Sequence, residues 1–122
     1  MEKGLTYTSR EVVKESNLAI TVGSGDLEVY ASPAMAALME NAAMKAVAPS
    51  LPEGSTTVGA MMNTTHVKPS GMGETIRATA ILEEVEGRKL TFSVKAEDGK
   101  GVIGEGTHIR YVVDKERFLS KL

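Results

Sequence analysis

Ser32-Pro33-Ala34-Met35-Ala36-Ala37-Leu38-Met39-Glu40-Asn41-Ala42-Ala43-Met44-Lys45-Ala46-Val47 carries the one long helical signal in this chain of 122 residues. Ser32 can cap the first free backbone amides, and Pro33 suits the first helical position, where no amide hydrogen is needed. Met35, Leu38, Met39, Ala42, Ala43 and Ala46 recur at three- and four-residue steps and form one apolar face. Ala36, Ala37, Met44 and Val47 extend that character round the other side, so only Glu40, Asn41 and Lys45 interrupt the cylinder. A helix apolar nearly all round is buried on more than one side. Glu40 stands out within it. One turn away lie Ala36, Ala37, Ala43 and Met44, none of them a cation, and a carboxylate in an apolar collar is costly to bury unless something beyond the helix bonds it. Two readings stay open on these residues: Glu40 sits on a thin solvated strip with Asn41, or it is kept for use. On the second, Glu40→Ala loses function and gains stability.

Outward from the helix, the rest of the chain reads as β-structure. Thr6-Tyr7-Thr8, Glu11-Val12-Val13 and Leu18-Ala19-Ile20-Thr21-Val22 predict one or two strands before the turn cluster Gly23-Ser24-Gly25-Asp26. After the loop Ala48–Gly54, strands are expected over Thr56 to Lys68, Glu74 to Glu86, Lys89 to Glu97 and Val102 to Val113. Tight turns fall at Gly87 and at Asp98-Gly99, and Asp114 can cap a short terminal helix. Ile76, Ala78, Ala80 and Leu82 share one face, as do Leu90, Phe92, Val94 and Ala96. The fold class is α+β: one domain, residues 1–122, in which an antiparallel sheet curls around one helix. Such a sheet leaves an unpaired edge, and with the apolar outer side of the helix this predicts a homodimer or higher homo-oligomer.

Composition narrows the functional classes. A net charge of −2 gives no footprint for nucleic acid or for an anionic membrane. The absence of cysteine excludes disulfides and thiolate chemistry. Two histidines without a carboxylate cluster make no metal site. Met1 to Arg10 lacks the apolar run of a signal peptide and no stretch reaches spanning length, so a cytoplasmic protein is expected. Seven methionines against two phenylalanines suggest a core or pocket lined by pliable side chains.

Three groups carry chemical potential: Ser32, Glu40 and His66. Singly, each has an ordinary reading, as a cap, a solvated carboxylate and a strand residue. Together with Ser-Pro-Ala-Met-Ala-Ala-Leu-Met-Glu at 32–40, Thr57-Val58-Gly59, Thr64-Thr65-His66, Glu84–Leu90 and Gly104–Arg110, the chain resembles the hotdog-fold thioesterases, and among them the fluoroacetyl-CoA thioesterase-like family. The family has a hydroxyl residue at the helix start, a glutamate eight residues on and a histidine 26 residues further, a spacing that Ser32, Glu40 and His66 match. The resemblance implies hydrolysis of a small acyl-CoA thioester, with coenzyme A entering as substrate and no cofactor. It assigns Gly59 to present its amide to the thioester carbonyl. His66 would be the base. Glu40 would orient the imidazole or attack the carbonyl, and Ser32 would hold water, polarise the carbonyl or attack directly.

The chain departs from the family pattern twice. Serine replaces the usual threonine at 32, and Gly23–Asp26 lacks the aromatic lid residues of the members selective for fluoroacetyl-CoA. The resemblance therefore carries thioester hydrolysis and not the fluorinated substrate. His108, on the last strand, reads as structural, and Arg77, Arg110, Lys68 and Lys45 as weak candidates for the coenzyme A phosphates. Two other readings use the same fold: a non-catalytic acyl-CoA-binding module, favoured if Ser32 and His66 lie too far apart to share a ligand, and a hydratase or dehydratase acting on the acyl chain. One geometric constraint precedes any structure. Eight residues of helix rise roughly 12 Å, so Ser32 and Glu40 on one straight helix cannot both touch one imidazole. Either the chain around Ser32 departs from helix or two subunits complete the site, and the second is the favoured solution.

Overall fold

Period-2 alternation in the second half of the chain builds one antiparallel sheet, and the apolar face of the long helix fills its concave side. The computed structural model describes residues 1–122. In chain order it runs β1 (Thr6–Val12), α1 (Ala19–Val22), α2 (Ser32–Val47), β2 (Ser55–Thr64), β3 (Thr75–Glu86), β4 (Lys89–Asp98), β5 (Gly101–Asp114) and α3 (Lys115–Ser120). The strand order is β1-β3-β4-β5-β2, so β1 and β2 are the two edges.

Ile76, Ala78, Ala80 and Leu82 of β3 and Leu90, Phe92, Val94 and Ala96 of β4 are buried, as are Met35, Leu38, Met39, Ala42, Ala43, Ala46 and Val47 of α2. Burial of each larger side chain contributes about 1.5–3 kcal/mol, while the alanines on both surfaces let the helix approach the sheet closely. On the outer side of α2, Ser32, Pro33, Ala37 and Lys45 are exposed. Asp114 caps α3 by accepting from the Arg117 amide.

Two local expectations are corrected. Leu18 to Val22 is not a strand. Residues 15–17 form a 3-10 turn and Ala19–Val22 a single α-turn, closed by Gly23 at φ 89°. The β-branched residues lose to tertiary bonding: Val29 and Leu27 carbonyls accept from the Ala19 and Ile20 amides, folding the segment back on itself. The strand after the helix ends at Thr64 rather than Lys68. Beyond it, Thr65 and Val67 amides still donate to Glu105 and Ile103 carbonyls of β5.

Two features of β2 shape the site. Gly59 faces Arg110 and Met61 faces Ile109, leaving Ala60 as an extra bulged residue. A bulge shifts the alternation by one, so Thr57 and Gly59 before it and Met62 after it all turn toward the helix. Further on, the chain passes directly over two glycines of β5. A Cβ on Gly104 would lie 2.2 Å from the Thr65 carbonyl oxygen, and one on Gly106 would lie 1.9 Å from that of Asn63. Only glycine admits this approach, which turns the chain in toward the start of α2. Gly104→Ala is accordingly expected to destabilise the protein by about 1–3 kcal/mol through overpacking against backbone. Thermal or urea melts measure it, and an unchanged melt would show that residues 63–65 do not depend on the contact.

Candidate active site

The first turn of α2 and the segment after β2 meet at a hydroxyl and an imidazole. Ser32 Oγ lies 2.7 Å from His66 Nδ1. Ser32 does not cap the helix as the sequence suggested. The N-cap is Ala31, in extended conformation and without a side-chain bond, and Ser32 is the first helical residue. Its hydroxyl is thereby released to His66. His66 is half-buried, its Nε2 is enclosed without a protein partner, and the edge of Tyr30 faces its ring at 6.5 Å. Burial, which disfavours the imidazolium, holds its pKa below the ordinary 6.5 against the opposing pull of a backbone bond at Lys68. Near neutral pH it is a neutral base.

Tyr30 anchors this corner. It is buried, its amide donates to the Ser70 carbonyl, and its hydroxyl donates to Glu11. Burial, reinforced by Glu11, pushes the phenol pKa well above its usual value, so it stays protonated. A cavity of about 360 Å³ opens beside the pair, lined by Ala19, Leu27, Val29 and Tyr30, with Ser24 to Asp26 and Lys68 at its polar side.

Glu40 lies two turns further along α2 and belongs to a second cluster. Its Oε2 is 4.0 Å from Arg110 Nη1 and 3.9 Å from His108 Nε2, and no ion pair joins it to His66. It also lies against Gly59, where a Cβ would come within 2.7 Å of Oε2. The expected apolar collar is therefore incomplete: the cation comes from β5, and the Glu40 side chain is 44% exposed. That removes the desolvation argument for a stability gain in Glu40→Ala. A shallow cavity of about 300 Å³ runs over Ala37, Glu40, Asn41, Met44, Gly59 and Arg110.

Arg110 is buried, its Nε donating to Thr57 Oγ1 at 2.8 Å and its Nη2 to the Thr57 carbonyl at 3.0 Å. It faces Glu40 from within the sheet rather than lying on the surface. Arg77 pairs with Glu97, and Lys45 lies over the Tyr7 ring at 5.5 Å. Of the four cations suggested for coenzyme A, only Lys68 borders the Ser32–His66 cavity. Sequence reasoning did not connect Arg110, His108 or Thr57 to Glu40. The available signal was two polar residues, His108 and Arg110, at alternate positions on the helix-facing side of β5.

A curled antiparallel sheet around one long helix is the hotdog architecture of the thioesterase superfamily, and here a hydroxyl bonded to an imidazole stands at the start of that helix. Comparison with known proteins gives the particular group. Residues 13–116 match the family model described as fluoroacetyl-CoA-specific thioesterase, FlK. The fluoroacetyl-CoA thioesterase of Streptantibioticus cattleyicolor is 42% identical over 95 residues, 78% of this chain and 68% of that protein. The solved structure of fluoroacetyl-CoA thioesterase FlK superposes with a TM-score of 0.92 at 35% identity, covering 99% of this chain and 94% of that one. A threonine-to-serine variant of that enzyme in complex with acetyl-CoA superposes with a TM-score of 0.94 at 36% identity, covering 99% and 96%. The chain belongs to the fluoroacetyl-CoA-specific thioesterase family, and its activity is the hydrolysis of acyl-CoA thioesters.

Both histidines have folded pKa values below the ordinary 6.5, chiefly from burial. The unfolded chain therefore binds protons first as pH falls, so stability fully present above about pH 6.5 is lost through the window below it. For Asp98, burial pushes the pKa up, but bonds from Ser70 and the Lys100 amide outweigh it and hold the carboxyl below its ordinary 3.8. Its contribution is lost only at lower pH. Melting temperature should fall between pH 6.5 and 5, and a variant lacking both histidines should show a flatter slope there.

Proposed function

We propose that the protein hydrolyses short, unbranched acyl-CoA thioesters at a site that two copies complete. One copy supplies Ser32 and His66, and the partner copy supplies Glu40 and Gly59. The observation that carries the reading is the 2.7 Å contact between Ser32 Oγ and the His66 imidazole, with Glu40 held apart from it in the same chain. A helix that separates its two functional groups by roughly 12 Å needs a second helix to bring them together. The outer edge of β2, with exposed Gly59, Ala60 and Met61, and the exposed strip of α2 at Pro33 and Ala37 are the surfaces that would pair, making a homodimer with both helices on one side.

In this reading His66 takes the proton of the attacking hydroxyl, and the oxygen adds to the thioester carbonyl. The Gly59 amide donates to the developing oxyanion. The tetrahedral intermediate then expels coenzyme A, and His66 returns the proton to its sulfur. Where water attacks, the free acid is formed at once; where Ser32 or Glu40 attacks, a water deprotonated by His66 cleaves the acyl group from it in a second step. Glu40 orients and stabilises the imidazolium. Mass spectrometry of protein quenched during turnover identifies the nucleophile: an acyl group on Ser32, one on Glu40, or none if water attacks. A non-catalytic module is disfavoured because the hydroxyl and imidazole share one reach, and release of coenzyme A thiol separates a hydrolase from a hydratase. A cytoplasmic location is part of the proposal, with coenzyme A esters as the substrate pool.

Release of free coenzyme A thiol from a panel of acyl-CoAs tests the activity. His66→Ala should lower turnover by about 10²–10⁴. Mixing inactive His66→Ala with inactive Glu40→Gln should restore about a quarter of wild-type sites, since half the dimers are mixed and each holds one intact site. No restored activity, or light scattering showing only a 13.0 kDa species, would exclude the shared site.

The substrate range follows from the cavity. With about 360 Å³ beside Ser32 and no aromatic residue among Gly23–Asp26, acetyl- and butyryl-CoA should exceed palmitoyl-CoA in kcat/KM. Fluoroacetyl-CoA should be preferred over acetyl-CoA by less than about tenfold. A large preference for either palmitoyl- or fluoroacetyl-CoA would refute the assignment.

A further inference from the structure

His108 is fully buried and takes no part in the chemistry above, yet both of its ring nitrogens are committed. Nδ1 lies 2.7 Å from the Met61 carbonyl oxygen, which can only accept, so Nδ1 carries the proton. Nε2 lies 3.2 Å from Arg110 Nη1, and a guanidinium can only donate, so Nε2 offers its lone pair. The two contacts together define one species, the neutral Nδ1–H tautomer. The ring of Phe92 lies beside it, centred 6.1 Å away and tilted by 32°. Burial, with the Arg110 charge, holds its pKa below the ordinary value against the opposing pulls of Met61 and Glu40, and so keeps it neutral.

We propose that His108 is a positioning residue for the thioesterase site, accepting one Nη1 hydrogen of Arg110 so that the other is directed at the Glu40 carboxylate and the face of Gly59. Thr57 holds the opposite side of the guanidinium through Nε and Nη2, so His108 supplies the third point that fixes its plane. The bulge at Ala60 belongs to the same device, because Met61, the next residue, presents the carbonyl that sets the tautomer. A guanidinium fixed at three points delivers its second Nη1 hydrogen in one direction, and a free one does not. The proposal rests on the reading of Glu40 as a functional carboxylate.

The test compares His108→Gln, whose amide oxygen can still accept from Arg110, with His108→Phe, which keeps the ring and loses the acceptor. Thermal melts confirm that each variant folds. His108→Phe should lower kcat by roughly a hundredfold with KM changed less than about threefold, while His108→Gln should stay within about tenfold of wild type. Nitrogen-15 NMR of the wild-type protein should show His108 as the Nδ1–H tautomer, and Arg110 guanidinium signals that are resolved there and in His108→Gln should broaden in His108→Phe. An Nε2–H tautomer, a His108→Phe variant with near-normal kcat, or a His108→Gln as impaired as His108→Phe overturns the proposal. Glu40→Gln in the same assay separates the two levels. Retained turnover in that variant overturns the role of Glu40, and with it the target assigned to the guanidinium, whereas the NMR result bears on His108 and Arg110 alone.

Discussion

Where the chain leaves β2 it runs backbone against backbone over Gly104 and Gly106, and the Ser32–His66 pair depends on that approach. Any side chain at either glycine would meet a carbonyl oxygen at less than bonding-free distance. Because none is present, the segment turns inward and stays tied to β5 by the Thr65 and Val67 amides, and it delivers His66 to the first turn of α2. The same first turn is free to meet it because Ala31, not Ser32, occupies the capping position. Two small structural permissions, a missing Cβ and an unspent hydroxyl, thus create a pair that no stretch of sequence contains.

Much of the fold was legible because it rests on local periodicity. The helix of Ser32–Val47, the strands on either side of Gly87 and Asp98, and the terminal cap at Asp114 all follow from spacing and turn chemistry. Leu18 to Val22 misled because its β-branched residues suit a strand, while the deciding bonds come from Leu27 and Val29, across the glycine turn. The candidate site residues could be named from the sequence, but not their grouping. Spacing and resemblance singled out Ser32, Glu40, Gly59 and His66, but the partner of Glu40 is 70 positions away on β5. A residue's helical neighbours cannot show a cation arriving from a strand. His108 read as structural for a similar reason, since its meaning lies in which nitrogen faces Met61 and which faces Arg110.

The two clusters differ in electrostatic character. The Ser32–His66 pair itself is uncharged, with the imidazole kept unprotonated by burial beside a protonated phenol that donates to Glu11. The Glu40 cluster is charged, with a buried guanidinium held by neutral acceptors and a carboxylate within reach of water. One end therefore suits proton transfer and the other suits stabilisation of charge that proton transfer creates. A thioesterase needs both within one substrate's length.

Ala60 has a consequence for how this fold tolerates change in length. In a strand, one residue is half a repeat, so an insertion or deletion ordinarily exchanges inside for outside along everything that follows. Here the bulge takes up the extra residue, so Gly59 and Met62 still face the same way. Deleting that single residue would close the ladder into regular alternation, with Gly59 and Met62 two apart and still on one face. It would also remove the local kink beside the Met61 carbonyl that faces His108. A change of length at this position is one that β2 absorbs without turning its inner face outward: what Ala60 adds is the kink, not the phase.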